Sequence, residues 1–146
     1  MAKKEKTKKK EVSKKVEKKV VETKKKKKRA SVPKAVVFIN SSYNNTIISI
    51  ADPTGAVLAW SSPGVVGFSG SRKSTAYAAT RAAEDAVQKA QKYGVREASV
   101  VIRGAGLGRQ AAVKGLRSGG LRITSLADHT PIPHGGVTPR KKPRGS

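Results

Sequence analysis

No cysteine occurs anywhere in the 146 residues, so disulfides and thiolate metal sites are excluded and the chain suits a reducing compartment. Aromatic residues are few: three tyrosines, two phenylalanines and one tryptophan. Phe38, Tyr43, Trp60, Phe68, Tyr77 and Tyr93 are scattered, which leaves no platform on which successive bases could stack. The only histidines are His129 and His134, with few acids nearby, so no metal is expected. Asp128 beside His129 is adjacency in sequence, not a catalytic geometry, and no Ser-His-Asp or paired-carboxylate arrangement can be argued. Apolar runs are all too short to cross a bilayer. The N-terminal segment lacks the apolar stretch of a secretory signal, and its lysines are mixed with glutamates, unlike a transit peptide. Acids are scarce throughout, with 9 Asp and Glu against 32 Lys and Arg.

That imbalance, a formal net charge of +23, calls for a polyanionic partner. Nucleic acid ranks first and an anionic membrane surface second. Sixteen basic and four acidic residues fall within 1–29, a net +12 without an aromatic side chain. Such a segment cannot bury enough apolar area to offset its ordering entropy. Residues 1–33 are therefore expected to form a disordered arm, ended by Pro33, that either binds polyanions or merely solubilises the chain.

From Lys34 the texture changes. "AVVFI" (35–39) is a continuous β-branched run, as expected of a central strand buried on both faces. "TIISIA" (46–51) and "AVLAW" (56–60) complete an antiparallel meander, with "DPTG" (52–55) as a β-turn between the last two. Ala76, Ala79, Ala83, Ala86 and Ala90 recur at helical spacing, which predicts a helix lying close to a sheet. Ser71 or Ser74 is placed to cap it, and Gly94 to end it. A strand over 98–103, a shorter helix with Ala112, Val113 and Leu116 inward, and a strand over 121–127 follow. The order β-β-β-α-β-α-β implies one α/β domain, 34–128, on a mixed sheet of five strands. Residues 129–146, rich in proline, glycine and basic residues, form an extended tail without a core.

Two glycine-rich loops carry chemical possibilities. "GFSGSRKS" (67–74) has glycines, a following helix and two cations, parts that suit phosphate binding; Arg72 stands where a nucleotide-hydrolysing P-loop requires glycine. "IRGAGLGR" (102–109) resembles a dinucleotide fingerprint, with Asp128 at the expected remove, but its third glycine is misplaced and no second mononucleotide half follows. A glycine loop approaching an RNA phosphate is the preferred reading. A small nucleotide-cofactor enzyme using 104–108 is the alternative, and a general polyanion binder driven by the arm is a third.

"NNTIISIADPTG", "GFSGSRKSTAYAA", "RGAGLGR" and "DHTPIPHGG", in that order and spacing, resemble the bacterial members of the small-subunit ribosomal protein eleven family over residues 34–146. The resemblance implies a three-layer α/β/α domain on the platform of the small subunit, in the cytoplasm. There it would bridge helices of 16S-type rRNA and help form the Shine-Dalgarno cleft. It implies ribosomal proteins seven, eighteen and, where present, twenty-one as neighbours, with initiation factor three as a further partner, and no cofactor. Carried over by motif, the rRNA contacts are Asn44, Asn45 and Thr46; Gly70, Ser71, Arg72, Lys73 and Ser74; and Arg103, Gly104, Gly106, Gly108 and Arg109. The tail adds His129, Thr130, Pro131, Pro133, His134, Gly135, Gly136, Arg140, Lys141, Lys142 and Arg144. Ala105 and Leu107 stand where the family has prolines, and Gly135-Gly136 replaces its Asn-Gly turn.

Overall fold

The computed structural model describes residues 31–141. The arm up to residue 30, and with it Lys142 and Arg144, lies outside the described residues. Five strands form a sheet in the order β3-β2-β1-β4-β5. They are β1 (Lys34–Ser41), β2 (Thr46–Ala51), β3 (Val57–Ser61), β4 (Glu97–Arg103) and β5 (Arg122–Asp128). The first three pair antiparallel; β1 pairs with β4, and β4 with β5, in parallel. A 3-10 turn (Gly70–Ser74) leads into helix α1 (Ala76–Gln91), and helix α2 (Gly108–Ser118) connects β4 to β5. The mixed sheet with two helices is the α/β architecture that the element order indicates.

The layering differs from expectation. Both crossovers, β3 through α1 to β4 and β4 through α2 to β5, step across the sheet in the same direction. Right-handed connections then set both helices on the same face. The helices pack against each other, with Thr80 Oγ1 donating to the Ala111 carbonyl at 3.2 Å. One core results, from Ala35, Val37, Ile39, Ile48, Ile50, Val100 and Ile102 on the sheet and the small residues of the helices. The opposite face leaves Phe38, Ile47 and Trp60 at 46%, 42% and 54% exposure. Among the described residues there are therefore two layers, not three, and β1 is buried on one face rather than both.

Small side chains bring the helices close. Ala78, Ala79, Ala82, Ala83, Ala86 and Ala90 are fully buried on α1, whereas Ala76, expected on that stripe, is exposed. On α2, Gly115 lies against Ala83 and the Thr80 carbonyl so tightly that a methyl group there would stand 2.7 Å from that oxygen. Thr75, not Ser71 or Ser74, caps α1: its hydroxyl accepts from the Ala78 N–H at 3.2 Å. Val32 and Pro33, placed in the arm by composition, are tied to the domain. Val32 N–H donates to the Tyr93 carbonyl, and the Pro33 carbonyl accepts from Arg96 and Glu97.

Candidate nucleic-acid interface

In a parallel crossover the helix runs back against its strands, so its N-terminus stands at their carboxyl ends. That end of the sheet collects the β1–β2 turn, the N-termini of both helices, the β4–α2 loop and the start of the tail. Open α/β sheets place ligands at this end. The contacts are specific. Gly106 N–H donates to the Ser41 carbonyl at 3.0 Å, Ala79 of α1 packs on Gly108, and Gly104 N–H donates to the Thr130 hydroxyl at 3.2 Å.

The β1–β2 turn is self-tied. Ser42 N–H donates to the Asn45 carbonyl at 2.9 Å, and Asn45 N–H donates to the Ser42 hydroxyl at 3.2 Å. Asn44 is exposed at the tip; Asn45 is half-buried, and its side-chain carbonyl has no partner among the described residues. Thr46 is 2% exposed and its hydroxyl lies 3.1 Å from that of Ser41. It holds the turn against Gly108 rather than facing solvent.

Ahead of α1, Gly70, Ser71 and Arg72 are exposed, Lys73 and Ser74 half-buried. The Ser74 hydroxyl donates to the Ser71 carbonyl at 2.7 Å and that of Thr75 to the Arg72 carbonyl at 2.9 Å, so the turn carrying both cations is braced from below. The Arg72 guanidinium lies 6.0 Å from the Phe68 ring, which meets Tyr77 edge-on. Neither helix has an acidic residue in its first turn, so nothing there offsets the partial positive charge of the N-termini.

The glycines of the 104–108 loop have an internal reason. The side on which Gly104 and Gly106 lack a side chain faces the Ser41–Ser42 backbone, with carbonyl oxygens 2.2 Å from where each methyl carbon would be. Gly106 and Gly108 are buried and Gly104 half-buried, while Arg103 is exposed and Arg109 half-buried. A dinucleotide site needs open space before such glycines; here the β1–β2 turn fills it.

Asp128, not counted among the contacts by sequence reasoning, lies at the centre of these groups. One carboxylate oxygen accepts from the Thr130 hydroxyl at 2.5 Å and from Thr130 N–H at 2.9 Å; the other pairs with Arg109. The Thr130 bonds and the Arg109 charge hold its carboxyl below the ordinary 3.8. The Asp-x-Thr spacing, an Asx-turn signature, was the signal available in the sequence. Beyond it, residues 131–141 are exposed, without helix or strand, and Gly135 makes its turn at φ +64°. No helix among the described residues is long and apolar enough to cross a membrane, and none of their His, Asp and Glu side chains gather in threes.

Comparison with known proteins supplies the class. A family model described as ribosomal protein S11 matches residues 35–144. Small ribosomal subunit protein uS11 of Protochlamydia amoebophila is 51% identical over 114 residues, 78% of this chain and 84% of that protein. The uS11 proteins of Chlamydia pneumoniae and Chlamydia felis are 49% and 48% identical, each over 78% of this chain and 86% of theirs. A basic α/β domain with this match is a ribosomal protein. The chain belongs to the ribosomal protein S11 family.

Proposed function

We propose that the chain is a structural constituent of the small ribosomal subunit that binds 16S-type rRNA through the carboxyl end of its sheet. The observation that carries this reading is the convergence there of Asn44 and Asn45, the 70–74 turn with Arg72 and Lys73, Arg103 and Arg109, and the base of the basic tail. Cations and N–H donors drawn from several separate chain segments can follow a folded RNA backbone, which one lysine run cannot do with a fixed register. Thr46, Gly106 and Gly108 then support the contacts from within, while Pro131, Pro133, His134, Gly135, Gly136 and the residues to Arg144 follow the RNA outward. The platform location in the cytoplasmic subunit, the bridging of rRNA helices, the shaping of the Shine-Dalgarno cleft and the neighbours named above belong to the same proposal.

The test is binding of the purified chain to small-subunit rRNA across a salt series, with nucleotides as competitors. Arg72→Ala combined with Lys73→Ala should lower the log-log salt slope by about one to two. The helix should persist, because Thr75 caps it. An unchanged slope would take this turn out of the interface. Binding abolished by NAD or ATP would favour the cofactor reading.

A further inference from the structure

An acidic residue inside a surface built for phosphates is an anomaly. A carboxylate within a Debye length of bound RNA repels it, and a basic interface gains by losing it. Among the described residues, Asp128 is nonetheless the most heavily bonded side chain at the carboxyl end of the sheet. Its two oxygens take three donors from two segments: Thr130 N–H and hydroxyl, and the Arg109 guanidinium. The Thr130 hydroxyl, donating to Asp128, in turn accepts from Gly104 N–H at 3.2 Å. His129 N–H continues the strand pairing to the Ile102 carbonyl at 2.8 Å. The sequence of bonds runs from the first turn of α2 through the end of β5 and the second tail residue to the glycine loop. After Thr130 no comparable tie holds the tail among the described residues.

We propose that Asp128 is a positioning residue: it fixes the direction in which the tail leaves the domain and the orientation of Arg109, and so raises RNA affinity despite its charge. The proposal rests on the rRNA-binding reading above. Pre-ordering the root of a flexible segment lowers the entropy cost of docking the rest. Arg109 keeps unspent donors after pairing, because a guanidinium carries five N–H groups and one carboxylate oxygen engages few of them.

The two possible roles predict opposite signs. A bystander carboxylate, removed, leaves RNA binding tighter. A positioning carboxylate, removed, leaves it weaker although the net charge rises. The experiment uses the full chain with Asp128→Ala, Asp128→Asn and, without change of charge, Thr130→Val. Since the sequence has no cysteine, Thr138→Cys in each background gives one site for a tethered iron-EDTA probe on the tail. Hydroxyl-radical cleavage of bound small-subunit rRNA then reports where the tail points. We expect Asp128→Ala to weaken binding about tenfold, with Thr130→Val moving the same way. Asp128→Asn keeps the side-chain shape and an acceptor for Thr130, so its loss should be smaller. In the Ala variant a sharp cleavage pattern should spread, with the unfolding midpoint held. Tighter binding by Asp128→Ala, or an unchanged cleavage pattern whatever its affinity, overturns the proposal while leaving the RNA reading intact. Failure of the unmodified chain to bind small-subunit rRNA saturably overturns both.

Discussion

Replacing Gly104 by alanine places a methyl carbon 2.2 Å from the Ser41 carbonyl oxygen and 2.9 Å from its carbon. The obstacle is backbone in a strand of the sheet, so it cannot swing aside as a side-chain tip would. Gly104 also holds φ +101°, which L-residues rarely adopt. The backbone strain costs about 1–3 kcal/mol and the forced overlap another ~1–3 kcal/mol. A total of roughly 2–6 kcal/mol is a large share of the stability of a domain this size. Gly106→Ala separates the two contributions. Its methyl carbon would stand 2.2 Å from the Ser42 carbonyl oxygen, but its φ is not positive, so about 1–3 kcal/mol is expected. Thermal unfolding of the free protein checks both, with the midpoint falling by roughly 10–25 °C for Gly104→Ala and by less for Gly106→Ala. Guanidinium melts should shift in midpoint with little change in slope. If instead both variants unfold like the parent and lose only RNA affinity, the glycines serve an approaching phosphate, and internal packing is not why they are there.

Ending the chain after Thr130 keeps the Asp128 clamp and removes Arg140, Lys141, Lys142 and Arg144. The log-log salt slope of rRNA binding should shrink by roughly three to four with an unchanged unfolding midpoint; an unaltered slope would place the tail off the RNA. Ser61, fully buried, donates to Asp85 at 2.6 Å, and Lys89 approaches the same oxygen at 2.5 Å. Burial opposes the charge on Asp85, but the bonds from Lys89 and Ser61 outweigh it and hold the carboxyl below 3.8. Its stabilisation is therefore present above the unfolded value of 3.8 and lost as pH falls through the lower folded one. Ser61→Ala should cost about 1–2 kcal/mol near neutral pH and less in acid, as denaturant melts at pH 7 and pH 3 would reveal; an equal loss at both would contradict the assignment.

Much of the fold was legible. "TIISIA" is β2 residue for residue, and the turn at Asp52–Gly55 closes as its composition requires, with Gly55 N–H donating to the Asp52 carbonyl. The α1 stripe was readable because alanines at steps of three and four must share a helix face; Ala76 failed only because the helix begins there, one residue beyond the Thr75 cap. The cap itself was misplaced because three hydroxyl residues stand within five positions, and only the 3-10 turn decides which of them precedes the first helical residue. Val32 and Pro33 were unreadable as part of the domain, since their partners Tyr93, Arg96 and Glu97 are some sixty positions away.

Composition and periodicity by themselves determined the charge, the polyanionic partner class, the element order and the segments bearing cations and glycines, because each depends only on residues a few positions apart. The tertiary structure alone decided that both helices share a face, since crossover direction is a property of the whole sheet. It alone turned the glycine loop inward, because the Ser41–Ser42 backbone arrives there from the far end of the domain's sequence. It alone made Asp128 a junction: a carboxylate next to a histidine in the chain acquires its role from Arg109 and the Thr130–Gly104 bond, brought to it by β5 lying parallel to β4.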